Sequence, residues 1–457
     1  MLGMPVAISP LQQLRAALQS GEITPRAAVE PALARTNSNA GRNVYISLDR
    51  ERALREAEEL PKRFPAATKP LLYGLPISLK DCFDLAGFIT TAGTHYYAAR
   101  NAPAPEDSAV AARLRSQGAI IIGKTHMHPL AYGITGENPD YGDCTQPANP
   151  ALLTGGSSSG AAASIQEGSA AAAIGTDTGG SIRAPAALCG LAGYRASIEL
   201  AHQRNLWRGA VHLAVSFDTL GWLFQDLRDA PLLAEALFNL EQSSRRRPFT
   251  MSLEGRALSV LTSTETKIRI GVVAQEFLHD CEPQVLTALT DWQKRLNKLG
   301  AQLTPIDTTY WEDAMTIYAP IQASEAAAIH RPGTRGDFSH FERSIADRLT
   351  WGASLPRAEI EKFREDHASF REKTEALFRQ HDFLILPCAP VAQLPAGADH
   401  ANTRKAILRY TTPFSLAGVP VITLPANSGA GIQLAAPRGA DAHLLSYAAQ
   451  LGATLDT

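Results

Sequence analysis

Cysteine is scarce in this chain. Only five of its 457 residues are cysteine, at positions 82, 144, 189, 281 and 388, and none forms a CxxC pair. The odd count and wide spacing argue against a disulfide framework, so buried free thiols are expected. Charge is also sparse and balanced, at 19% of residues with a net −2. That excludes a broadly basic surface for nucleic acid or an anionic membrane. The one basic run, Arg245-Arg246-Arg247, sits beside Pro248 and reads as a solvated loop. No long apolar run is present. The longest stretch of low polarity, residues 160–175, is Ala-rich and carries Gln166 and Glu167, too short and too polar to span a bilayer. The opening MLGMPVAISPLQQLRAALQSGEITP has no basic segment followed by an apolar core, so it is not read as a signal peptide. The expectation is a soluble cytoplasmic protein with no nucleic-acid and no membrane partner.

What is present is an ordinary apolar content of 45%, arranged as alternating helices and strands. Residues 9–35 read as two helices, with Ser9-Pro10 and Thr24-Pro25 as start signals. Residues 48–63, 108–117 and 357–380 read as further helices, and 441–452 as the last. The Ala- and Ser-rich stretch 158–173 reads as a buried helix. Strands are expected at 71–79, 118–123, 382–387, 419–424 and 431–434. This alternation predicts an α/β fold, three layers deep, with a mixed sheet covered by helices on both faces. No repeat and no biased linker demands a cut, so residues 1–457 are taken as one domain. Residues 240–268 are the most polar and least patterned and suggest a surface excursion.

Two glycine–serine loops bracket the Ala-rich stretch: Thr154-Gly-Gly-Ser-Ser-Ser-Gly160 and Gly175-Thr-Asp-Thr-Gly-Gly-Ser-Ile-Arg183. Neither has the Gly-Lys-Ser/Thr ending of a phosphate cradle or the spacing of a dinucleotide fingerprint. A serine nucleophile fits the second loop better. Its glycines allow a sharp turn and let a carbonyl approach the backbone amides. Serine is a poor nucleophile until a base takes its proton. No histidine is near in sequence, and a desolvated lysine is the usual substitute.

Lys80-Asp81 after Gly-Leu-Pro-Ile-Ser, the loop TGGSSSG and the stretch GTDTGGSIRAPAALCG together resemble the amidase signature family. Gly123-Lys-Thr-His-Met127, Ser216-Phe-Asp-Thr-Leu-Gly221, Asp382 to Pro387 and Phe414 to Pro420 resemble further family segments, the last two its C-terminal strands. The likeness covers most of the chain and is densest over 70–230. It implies a hydrolase that cleaves an amide C–N bond through an acyl-enzyme. Carbamate, urea-type or aryl-amide hydrolysis, with some esterase activity, is an alternative. An amidotransferase subunit or a silent scaffold is a lesser one. The resemblance implies Ser181 as nucleophile, Ser157 as a bridging serine on a cis peptide after Gly156, and Lys80 as base. The amides of Thr178, Gly179, Gly180 and Ser181 would form the oxyanion hole. Asp177 and Arg183 read as a pair bracing the loop.

The chemistry is consistent with those residue types. A lysine with its ordinary pKa of ~10.4 is charged and useless as a base. Burial at the end of an apolar strand disfavours the ammonium, and bringing it near neutrality is worth roughly 3–4 kcal/mol. No cofactor and no metal are expected. The His126-x-His128 pair lacks a supporting carboxylate or cysteine cluster and is assigned a pocket or loop role. Ser159 stands where the family usually has glycine and narrows the loop. Leu191-Ala-Gly-Tyr-Arg195 departs from the family's pattern. Met127, Tyr132 and Trp207 are taken as pocket residues. Tyr310, Trp311, Tyr318, Phe338, Phe341 and Trp351 are further aromatic candidates. Residues 240–360 are expected to shape the substrate pocket, with 307–356 as a lid-like loop. A small amide or carbamate is the expected partner, and a homodimer is a compatible assembly.

Overall fold

The structure is a computed structural model. It describes residues 8–38, 40–65, 67, 69–203, 205–240, 267–426 and 429–455. Residues 241–266, with the Arg245–Arg247 run and most of the expected surface excursion, lie outside the described residues.

Among the described residues thirteen strands occur in chain order: β1 Tyr45–Leu48, β2 Pro76–Lys80, β3 Ile120–Thr125, β4 Thr145–Gln146, β5 Asn149–Leu153, β6 Ala172–Asp177, β7 Ala192–Arg195, β8 Thr219–Phe224, β9 Arg269–Val273, β10 Gln302–Ile306, β11 Phe383–Pro387, β12 Val421–Leu424 and β13 Ile432–Ala435. Eleven join one sheet in the order β1-β3-β2-β6-β8-β7-β12-β13-β11-β9-β10, and β4 pairs with β5 apart from it. The sheet is mixed. β3, β2 and β6 run parallel, as do β11, β9 and β10, while the middle of the sheet is antiparallel. Side-chain alternation gives the inner strands two buried faces. In β8, Leu223 packs with Ala161, Ala162, Ala173 and Ile182, whereas Trp222 and Phe224 join the larger core. Helices Ser159–Glu167 and Arg183–Leu188 pack with the first group. Helices Ala230–Phe238 and Asp441–Ala453 contact each other and the sheet. The α/β class with helices flanking a central sheet is therefore as expected.

The sequence and structure part at particular elements. The helix expected over 158–173 is Ser159–Glu167 and stops at Gly168, which is left-handed at φ 75°. The remaining alanines form β6, because a strand of Ala and Gly between β2 and β8 lets that helix pack close against the sheet. The loop of Ser181 therefore leaves a strand, not a helix. Residues 71–74 are a turn, and β2 starts at Pro76. The expected lid over 307–356 is mostly helical, with helices Ala314–Thr334 and Arg343–Ser354. The irregular text there reflects helices buried on several sides, including two prolines inside the first. Phe414–Ala417, matched to a strand, end the helix Ala401–Ala417.

The middle of the sheet is packed closely enough to forbid a side chain at Gly221. A Cβ on Gly221 in β8 would stand 1.7 Å from the Tyr194 carbonyl oxygen in β7. Backbone must move to relieve it, so Gly221→Ala is expected to cost at least about 1–3 kcal/mol. A denaturant midpoint equal to that of the parent protein would contradict this packing.

Candidate active site

Parallel strands β2 and β6 end side by side, and their last residues meet. Lys80 closes β2 and is fully buried. Its Nζ donates to Ser157 Oγ at 2.7 Å and to Thr176 Oγ1 at 2.8 Å, the second from the end of β6. No carboxylate shares in this group. Burial is the largest influence and pulls the Lys80 pKa down to about 8, against a smaller upward pull from Cys82, Asp177 and Asp218. Asp81, next in sequence, faces a separate partner. It pairs with the buried Lys124 at 2.8 Å, and its other oxygen accepts the Thr91 amide at 3.1 Å. The lysine of the GKTHM segment is thus structural.

Ser157 follows a cis peptide from Gly156 and lies just ahead of the helix Ser159–Glu167. Its carbonyl accepts the His128 amide at 3.2 Å. The adjacent Ser158 amide donates to the Ser181 carbonyl at 3.2 Å, which ties the two glycine–serine loops together. Ser159 Oγ is buried and has no partner.

The Ser181 loop is wrapped around Asp177. That carboxylate accepts the amides of Gly180 at 2.9 Å and Ile182 at 3.1 Å, Arg183 Nε at 3.0 Å and Nη2 at 2.9 Å, and Arg195 Nη1 at 3.1 Å. Burial alone would raise its pKa, but the Arg183 and Arg195 charges overrule it and hold it far below the usual carboxylate range. Arg183 then reaches outward, donating to the Thr411 carbonyl at 2.8 Å, Ser415 Oγ at 2.7 Å and Gln433 Oε1 at 2.6 Å. Thr178 is held from the other side, its hydroxyl donating to Asp218 Oδ1 at 2.6 Å. Asp218 also accepts the Leu213 and Ala214 amides and His212 Nδ1. Thr176, Arg195, Asp218, Thr411, Ser415 and Gln433 were not singled out from sequence. Thr176, Arg195, Asp218 and Ser415 fall inside segments quoted from the sequence, but sequence alone assigns none of the six a role, since only the folded sheet brings them to the loop.

One expected amide is already engaged. Gly180 N–H points to Asp177, so it is not a free donor. Among the described residues, the amides of Thr178, Gly179 and Ser181 have no protein acceptor. Gly180 is left-handed at φ 119°, and a Cβ at Gly179 would stand 2.5 Å from the Tyr318 hydroxyl. Both positions therefore require glycine.

A small cavity opens at Ser181. Tyr132, Ile134, Tyr318, Gln322, Arg404 and Leu408 contribute to its wall. Of the aromatic candidates, Tyr132 and Tyr318 line it. Met127 is not among the residues lining it; it is fully buried in the main core, where Gly93 packs on its backbone. Trp207 stacks on His212 at 4.2 Å between ring centroids and is not among the cavity residues either. His126 donates from Nε2 to the Gly142 carbonyl at 2.8 Å, and the His128 ring packs over Gly133. Among the described residues no group of three or more His, Cys, Asp or Glu could hold a metal ion, and no helix is long and apolar enough to cross a membrane.

Comparison with known proteins identifies the family. The family model described as Amidase matches residues 27–445. The chain is 30% identical over 430 residues to AtzE, a 1-carboxybiuret hydrolase subunit of Pseudomonas sp. strain ADP, covering 90% of each protein. It is 30% identical over 449 residues to a glutamyl-tRNA(Gln) amidotransferase subunit of Geobacter sulfurreducens, covering 91% of this chain and 90% of that one. A crystal structure of an amidase superposes with a TM-score of 0.84 at 30% identity, covering 98% of this chain and all of the other. The chain belongs to the amidase family and is a hydrolase of amide C–N bonds.

Proposed function

We propose that the reaction runs through Ser181, Ser157 and Lys80. The observation that carries this reading is a buried lysine whose side-chain partners are two hydroxyls, with a pKa brought down to about 8. A neutral Lys80 takes the Ser157 proton while Ser157 takes that of Ser181. Ser181 Oγ bonds to the substrate carbonyl carbon, and the carbonyl π pair moves to oxygen. The free amides of Thr178, Gly179 and Ser181 are the donors for that oxyanion, with Gly180 serving Asp177 instead. On collapse the C–N bond breaks and the proton returns through Ser157 to the departing nitrogen. Water then attacks the acyl-enzyme, releases the acid and restores Ser181.

The one sheet running from residue 45 to 435 supports treating the chain as a single catalytic domain with its core over 70–230. Tyr318 and Gln322 in the cavity wall support a pocket-shaping role for the 240–360 region. The same carbonyl attack serves carbamates, urea-type compounds, aryl amides and esters. Because one relative belongs to an amidotransferase, release of free acid and amine by the isolated chain, with water as acyl acceptor, is the discriminating assay.

Two outcomes are expected. Ser181→Ala abolishes turnover, and Lys80→Ala lowers kcat/KM by roughly 10²- to 10⁴-fold, the usual contribution of a positioned base. Full activity in either purified, folded variant would remove that residue from the mechanism. Second, kcat/KM rises with pH through about 8, because Lys80 is protonated and inert below its pKa and neutral above it. A flat profile from pH 6 to 9 would contradict Lys80 as the base.

A further inference from the structure

The substrate cavity offers a cation and no anion. Arg404 lines it beside Ser181, from the helix Ala401–Ala417. Its Nε is buried without a hydrogen-bond partner. Burial lowers its pKa, and the groups opposing that are only the phenols of Tyr132 and Tyr318. Arg348, from the helix Arg343–Ser354, lies 4.2 Å from the Tyr132 ring centroid and donates to the Tyr132 carbonyl at 2.7 Å. Burial and then the Arg404 charge push Arg348 down to about 10. Glu342 is the acid that bears on Arg348. Its oxygens already accept the Ser344 amide at 2.8 Å and the Ser344 hydroxyl at 2.6 Å. The positive field also reaches His128, which burial first and then both arginines hold well below its ordinary range. Arg404 is half-buried, so the gain expected from an anionic ligand is a charge-assisted hydrogen bond to its unpartnered guanidinium Nε.

From this arrangement we infer that the substrate is a small amide bearing a carboxylate and no ammonium group, with the carboxylate pairing with Arg404 while the scissile carbonyl sits at Ser181. The inference rests on the assignment of Ser181 as nucleophile. A guanidinium binds a carboxylate through two parallel hydrogen bonds, which fixes the orientation of the amide as well as its charge. No carboxylate is among the cavity residues, so an ammonium beside the ligand's carboxylate would face arginines without an acceptor of opposite charge. Free amino-acid amides such as glutamine are thereby selected against.

The test compares kcat/KM for succinamate with butyramide, which places the carboxylate on the acyl side. N-acetylglycine against N-methylacetamide places it on the leaving side, and glutamine supplies the zwitterion. In the parent protein one anionic member is expected to exceed its neutral counterpart by about 10- to 100-fold, and to exceed glutamine by a similar factor. Arg404→Met is expected to collapse that ratio, and Arg404→Lys to restore part of it. Labelling of Ser181 by a fluorophosphonate, with protection by glutarate and not by glutaramide, reads the same site without turnover. A parent protein that labels at Ser181 yet shows no anionic preference and no glutarate protection would overturn the inference and leave the nucleophile standing. Glutarate protection that persists in Arg404→Met would overturn the role of Arg404. Failure to label Ser181 at all would overturn the nucleophile assignment itself.

Discussion

The burial of one lysine amine against two hydroxyls is the constraint on which the rest of the site depends. A carboxylate in hydrogen-bonding reach of Lys80 would hold it as an ammonium and deny it the role of base. The fold keeps acids near but engaged elsewhere. Asp81 is spent on Lys124, Asp177 on two arginines, and Asp218 on the Leu213–Ala214 turn and Thr178. The parallel pairing of β2 with β6 does the positioning. It sets Lys80 beside Thr176, and the tight packing of a small-residue helix over both strands delivers Ser157 to the same point.

Asp177 plays the complementary part for the nucleophile loop. One carboxylate gathers backbone amides from both sides of Ser181 and is in turn clamped by Arg183 and Arg195. Removing one partner from such a buried cluster leaves an uncompensated charge, so the loop has few ways to relax. Arg183 also carries the brace to Thr411 and Ser415 on the helix Ala401–Ala417. That helix presents Arg404 and Leu408 to the cavity. The element that would read the substrate is therefore tied by hydrogen bonds to the element that would attack it.

Much of this was legible in the sequence where the information is local. TGGSSSG, GTDTGGSIR and the strand ending in Lys80 each carry their own backbone chemistry, and the folded chain brings Lys80 within 2.7 Å of Ser157. The clamp around Asp177 was not legible beyond Arg183, because Arg195, Thr411, Ser415 and Gln433 come from distant strands and a helix. The Ala-rich run misled for a physical reason. Alanine suits a buried helix and a buried central strand alike, and only Gly168 marks where one stops. Met127 and Trp207 show why pocket residues are hard to read from sequence: an apolar side chain near a motif fits a core as well as a pocket. Gly180 shows a finer limit: its amide direction depends on where Asp177 sits, which no motif states.

Everything in the proposed chemistry turns on Lys80 being neutral near physiological pH because it is buried. Carbon-13 NMR titration of lysine side-chain Cε resonances, with Lys80 assigned by comparison with Lys80→Met, measures this directly. A midpoint at about 8 is predicted for Lys80. A midpoint at the ordinary lysine value of ~10.4 would contradict it.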